Sequence, residues 1–147
     1  MAKLTINEAA AGYTHKFQFD YTDLQRSGFL SASSTKAVGT FAPGDIIDLA
    51  TLYVVTAATG NTDATLGFGT STSTPVELLS SASALGNTAA GLPIYNTGSE
   101  FVGTAKMSVV NATTATKTLH FQVAGTISAQ TAGSWVLAWR QLSPPRA

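Results

Sequence analysis

The chain contains no cysteine, which excludes disulfide frameworks, thiolate zinc sites and thiol nucleophiles at the outset. Charge is scarce as well. Eight basic and eight acidic side chains make up 11% of 147 residues, under half the quarter usual for a globular domain. The cations Lys3, Lys16, Arg26, Lys36, Lys106, Lys117, Arg140 and Arg146 are scattered singly, and the net charge is zero. Nucleic acid is therefore not expected as a partner, because grip on a phosphate backbone rests on clustered Lys and Arg. No apolar run approaches the roughly 20 residues that span a bilayer, so no membrane is expected either. The start, Met1 to Glu8, does not read as a signal peptide, since Glu8 falls where the apolar stretch should be. Synthesis in a cytoplasm is the expectation.

What fills the chain instead is small: 23 Ala, 22 Thr, 14 Ser and 13 Gly occupy 72 of 147 positions. Threonine suits the pleated surface of a sheet, and glycine and serine suit turns. A monomer normally stays soluble through charge, and a neutral surface promotes association. This composition fits a protein packed against copies of itself or against a partner.

Hydrophobic periodicity predicts strands. In Tyr13 to Tyr21, Tyr13, His15, Phe17, Phe19 and Tyr21 alternate with Thr14, Lys16, Gln18 and Asp20. A period of two over that length predicts a half-buried strand with one aromatic face, assigned to core or subunit interface at Tyr13, His15, Phe17 and Phe19. Thr35 to Phe41 predicts a short strand ending at the turn signal Pro43-Gly44. Between Ile46 and Val55 apolar residues occupy both parities, which predicts a central strand covered on both faces. Ala64 to Gly69 predicts a strand with Leu66 and Phe68 inward. Phe101 to Asn111 predicts another, with Ala105, Met107 and Val109 alternating, and Asn111 to Thr116 a turn. Lys117 to Ala124 should bury Leu119, Phe121 and Val123, and Ser134 to Leu142 should place Trp135, Leu137 and Trp139 on one side. From Ser71 to Gly91 two readings stay open. Thr74-Pro-Val-Glu77 matches a capping box opening a short helix to Gly86, and the alternative is a long polar loop.

Seven to eight short strands with at most one short helix indicate an all-β, antiparallel β-sandwich, jelly-roll-like in its leading version. The expected division is an N-terminal arm over 1–12, a single sandwich domain over 13–142 and a C-terminal tail over 143–147.

Few residues point to chemistry. His15 and His120 lie on separate predicted strands, where a packed imidazole is the default, and no metal-ligand spacing joins them. Asp20 and Asp23, and Asp45 and Asp48, flank turns and strand ends, where capping is the common task. There is no G-x-S-x-G elbow, no D-x-D-x-D-G loop and no phosphate fingerprint beyond the short Gly67-Phe-Gly69. Asn111-Ala-Thr113 matches a glycosylation acceptor but reads here as a turn. No catalytic, cofactor-binding or metal-binding residue is expected, and neither is an enzyme.

Three segments together carry a resemblance. Ala42-Pro-Gly-Asp-Ile-Ile47, then Tyr53-Val-Val-Thr-Ala-Ala-Thr59, then Ala64-Thr-Leu-Gly-Phe-Gly-Thr70 are followed by Asn87-Thr-Ala-Ala-Gly91. From about Thr40 to Arg140 the chain resembles small jelly-roll-like virion structural proteins of tailed bacteriophages, capsid decoration (cement) and head proteins among them. The strongly aromatic Tyr13–Tyr21 strand departs from that pattern. The resemblance implies a non-catalytic protein that binds the major capsid protein on the outside of the head as a homo-oligomer, expected to be a trimer. An alternative is a glycan-binding fibre tip or carbohydrate-binding module, for which Tyr53, Tyr95 or Trp139 would supply the aromatic platform. A small hydrolase, with converging carboxylates, is the third possibility.

Overall fold

The computed structural model describes residues 12–26, 35–60, 64–82, 85, 90–91, 93–102, 106–125, 127 and 129–145. Expectations placed on the arm before Gly12, on Gly86 as a helix end, on Asn87–Ala89 and on Ala105 fall outside that set. Nine strands appear among the described residues: β1 (His15–Asp20), β2 (Thr35–Phe41), β3 (Ile46–Thr59), β4 (Thr65–Gly69), β5 (Leu79–Ala82), β6 (Pro93–Tyr95), β7 (Val109–Val110), β8 (Lys117–Ala124) and β9 (Ala132–Leu142). Two helical turns accompany them, α1 (Tyr21–Gln25) and α2 (Ser99–Val102).

Every pairing is antiparallel, and the strands form two sheets. Sheet 1 runs β1-β9-β3-β6, with β7 also beside β3, and sheet 2 runs β2-β8-β4-β5. The chain passes repeatedly between the sheets, so that first and last strands become neighbours. Two four-strand paths interleaved in this way form the jelly roll. The all-β sandwich is as the periodicity indicated.

The core lies between the sheets and is aromatic. Phe19 stacks on Trp135 with centroids 5.5 Å apart and on Phe121 at 5.6 Å, while Phe68 meets Trp139 at 5.1 Å. Trp135, Leu137 and Trp139 are fully buried, as are Leu119 and Phe121, and Val123 is nearly so. Each of these positions follows from strict alternation along β8 and β9.

Local chemistry sets the strand ends. At the end of β1, the Asp20 carboxylate accepts from the Asp23 N–H at 2.9 Å, and the Asp23 carboxylate accepts from the Asp20 N–H at 3.0 Å. This capping box turns the chain into α1 and stops the strand before Tyr21, one residue short of the alternation. Between β2 and β3, Gly44 takes φ +84 after Pro43, and the Asp45 N–H donates to the Ala42 carbonyl at 3.0 Å. Pro then Gly is the pairing a type II turn requires.

Two expected elements differ. The capping box at Thr74 does not form: the Glu77 carboxylate accepts from the Thr70 and Val76 N–H groups, and the backbone after it becomes β5. Glu77 is held by strand β4's end rather than by a helix turn, so no helix spans 74–86. Among the described residues of the strand predicted over Phe101–Asn111, only β7 is a strand. Its beginning is the turn α2, whose Phe101 and Val102 N–H groups both donate to the Gly98 carbonyl, and Met107 stands 90% exposed. Burying Phe101 fixes α2 against the core, and a single aromatic anchor outweighs weak alternation.

Gly98 sits directly against the Glu77 and Leu78 backbone, with its N–H on the Leu78 carbonyl at 3.0 Å. A methyl group there would press into the Glu77 carbonyl oxygen. Gly98→Ala is expected to cost about 2–3 kcal/mol, since backbone rather than a flexible side chain must yield. Urea unfolding checks this; an unchanged midpoint would mean the two segments part freely.

Candidate functional site

The two sheets present unlike faces to the outside. On sheet 2 the outward residues are small or polar: Thr118, His120 and Gln122 on β8, beside Thr40, Ala37 and Thr35 on β2. On sheet 1, β3, β6, β7 and β9 turn mainly apolar residues outward, while β1 adds Lys16, Gln18 and Asp20. Because Ile47, Ala50, Leu52 and Val54 point into the core, Ile46, Thr51, Tyr53 and Val55 point out. Register places Tyr53 opposite Val136 and Pro93, Thr51 opposite Ala138 and Tyr95, and Ile46 opposite Leu142 and Val110. Tyr53 is 42% exposed, Val55 45%, Tyr95 62%, Val110 49% and Leu142 47%.

The middle of this face is a shallow groove of about 640 Å³ bounded by Tyr13, Lys16 and Gln18 on one side and by Tyr53, Val55 and Pro93 on the other. Its floor is Thr51, Val136 and Ala138. Two of its polar groups are matched with each other. The Tyr13 hydroxyl donates to Thr51 Oγ1 at 3.0 Å. Nearby, Arg140 grips Asp48 through two parallel bonds, Nε to Oδ1 and Nη2 to Oδ2, each 2.6 Å. Those bonds hold the Asp48 carboxyl below its ordinary value, with burial opposing. A register shift between Ile47 and Leu49 accompanies this fork at Asp48.

The four aromatic-face residues divide. His15, Phe17 and Phe19 turn inward: Phe19 is buried, Phe17 lies 5.4 Å from Phe121, and the His15 ring stacks on Trp139 at 5.1 Å, 8° from parallel. Tyr13 lies before β1 begins and lines the outer groove, so it leaves the shared face that alternation assigned it. Trp139 is fully buried, which removes it as an aromatic platform, whereas Tyr53 and Tyr95 are both exposed on neighbouring strands. Val55, Pro93, Val136 and Leu142 were not singled out beforehand. The signal for them was present in β3, whose apolar residues occupy both parities although the described residues cover one face only.

No grouping of three or more His, Asp or Glu side chains suited to a metal occurs among the described residues. Three of the four flanking aspartates cap turns: Asp20 and Asp23 at α1, and Asp45, whose Oδ2 accepts from the Ala42 N–H at 3.1 Å. Asp48 instead serves the Arg140 bridge. Asn111 is buried, its amide donating to Ala115 within the turn after β7 and to Phe41 on β2, in keeping with the turn reading.

Burial lowers the pKa of His15 below its ordinary 6.5, with nearby Asp45 opposing. The folded state thus prefers the neutral ring. Above pH 6.5 both states are neutral and His15 contributes no pH dependence. As pH falls below 6.5 the unfolded chain takes up the proton first, so stability declines until the folded ring also titrates. The expected result is a melting temperature that drops between pH 7 and 5 in the native chain, with a shallower drop in His15→Phe, read by thermal melts at each pH.

No protein-family model, curated protein or solved structure matches this chain. The class it belongs to therefore rests on topology and surface: a jelly-roll sandwich with one apolar sheet face turned outward.

Proposed function

We propose that this protein is a structural component of a tailed-bacteriophage virion, a non-catalytic decoration (cement) protein that stabilises the outside of the head as a homo-oligomer seated on the major capsid protein. The observation that carries the reading is the contrast between the faces: the exposed apolar surface of sheet 1 against the small, polar surface of sheet 2. Exposed apolar patches of this extent mark association sites rather than solvated faces. A near-absence of charge favours the same outcome, since adjacent copies do not repel one another. The resemblance at Ala42–Ile47, Tyr53–Thr59 and Ala64–Thr70 supplies the virion setting. Co-sedimentation with purified phage heads tests it. Saturable binding at a fixed ratio to capsid subunits, with the heads melting at higher temperature, is expected; no binding overturns it.

A second reading has its own observation. Tyr53 and Tyr95 are exposed on the same face of neighbouring strands, diagonal across the β3–β6 ladder, which supplies aromatic surface to a sugar. Glycan-array binding abolished by Tyr95→Ala would favour a carbohydrate-binding module instead.

A further inference from the structure

We infer that the outer face of sheet 1 is the surface on which a second copy of this chain packs, with Tyr53 on the inner strand β3 and Tyr95 at the β6 edge. The inference rests on the self-association in the function proposed above and specifies where it occurs.

The first argument is patterning. Strand β3 lies between β9 and the β6–β7 side of sheet 1, and it is apolar on both parities. One face fills the core: Ile47, Leu52 and Val54 are essentially buried, the bulge at Asp48 switching which parity points inward. The other face, Ile46, Tyr53 and Val55, reads like a second core surface with no second sheet over it among the described residues. Strands covered on both sides have this composition, and no described residue supplies the second cover here.

The second argument is polarity. A partner that desolvates this face must not strand its polar groups, because an unpaired buried donor or acceptor costs about 1–3 kcal/mol. Tyr13 and Thr51 already satisfy one another, and so do Arg140 and Asp48. A partner therefore meets an apolar middle edged by Lys16 and Gln18 of β1, which the interface has to pair or leave to solvent. The charges here also balance, with Lys16 and Arg140 against Asp48 and Asp20, so two like faces meet without net repulsion. Apolar interfaces of this kind are typical of homo-oligomers, while transient partners meet on more polar ground.

The third is size, which is adequate. Strands β3 and β9 run the length from Ile46 to Val55, but β1 has six residues, β6 three and β7 two. At about 3.3 Å per residue and about 4.8 Å between strands, the plane is on the order of 500 Å². Two such faces together reach about 1,000 Å², the threshold a specific interface has to clear. An exposed tyrosine on an inner strand, as Tyr53 is on β3, belongs to the side chains that most often carry binding energy.

Analytical ultracentrifugation of the full chain tests this, with three variants. Tyr53→Lys combined with Tyr95→Lys puts two charges on the face. Tyr95→Ser alone adds none. Thr118→Lys puts one charge on the exposed outer face of sheet 2. The native chain is expected to sediment at a multiple of its 15.1 kDa mass at micromolar concentration. The double lysine variant should fall to protomer mass, its dissociation constant raised 100-fold or more. Tyr95→Ser should weaken association about 10-fold, and Thr118→Lys should leave it unchanged. Far-UV circular dichroism identical to native confirms that each variant is folded. An assembly that survives the double lysine variant, or one that Thr118→Lys disrupts, overturns the inference. A native protomer that binds heads but stays single at about 100 μM overturns it too, while leaving the decoration reading in place. If the double variant keeps its oligomer yet loses head binding, the face meets the shell and the inference fails.

Discussion

Trp139→Ala is expected to remove about 3–5 kcal/mol of stability, the cost of truncating a large aromatic in a packed core. The side chain is fully buried, and three neighbours depend on it: His15 stacks flat against the ring, Phe68 meets it at 5.1 Å, and Gly39 leaves room for its edge. Its indole N–H donates to Gln141 Oε1 at 3.1 Å, and Gln141 in turn donates to Asp45 Oδ2 at 2.8 Å. The substitution therefore opens a void between the sheets and loosens the turn between β2 and β3 together. For a domain of this size the melting temperature should fall on the order of 10 °C. Trp139→Phe, which keeps most of the volume and the stack, should lose well under half as much. Melts at one fixed protein concentration separate this from any change in association. A loss below about 1 kcal/mol would mean that the sheets close over the gap and that the aromatic packing adds little.

The second large effect is expected at Asn111, where one side chain ties three segments. Its amide donates to the Phe41 carbonyl at 2.7 Å and to the Ala115 carbonyl at 3.0 Å. Its oxygen accepts from the Thr113 N–H at 3.1 Å and from the Thr113 hydroxyl at 2.6 Å. Its backbone exchanges bonds with Asp45 and Gly44. Asn111 is only 1% exposed, so Asn111→Ala leaves carbonyls that water cannot readily reach. The expected cost is about 2–4 kcal/mol, a few unpaired groups at roughly 1–3 kcal/mol each less some relaxation. Asn111→Asp should be no better, because a carboxylate would face the Phe41 carbonyl. Thr113→Ala, at an exposed hydroxyl, should cost about 1 kcal/mol or less. Urea midpoints for the three variants in that order check the hub; equal losses for Asn111→Ala and Thr113→Ala would refute it.

Much of the sandwich was legible because alternation is a local property. Leu119, Phe121 and Val123 alternate with Thr118, His120 and Gln122, and no tertiary contact is needed to infer which set is inside. Trp135, Leu137 and Trp139 on β9 were legible for the same reason. Where the reading went astray, a local signal had two possible uses. A Thr-x-x-Glu spacing caps a helix only if the backbone turns there, and Glu77 was taken up by the end of β4 instead. At Tyr13 the alternation ran on past the strand. Only the fold shows that β1 begins at His15 and that Tyr13 reaches Thr51 on the other side of the sheet.

The amino-acid sequence alone determined that this chain builds paired sheets, which residues fill the space between them, and that it carries little charge to hold copies apart. Periodicity and composition suffice for these, since each depends on neighbours a few residues away. Only the tertiary structure decided which strands became adjacent, and so which apolar parity of β3 met a partner sheet and which was left facing outward. Tyr53 and Tyr95 are 42 residues apart along the chain and become one surface only when β6 pairs with β3, a long-range contact that no local pattern encodes.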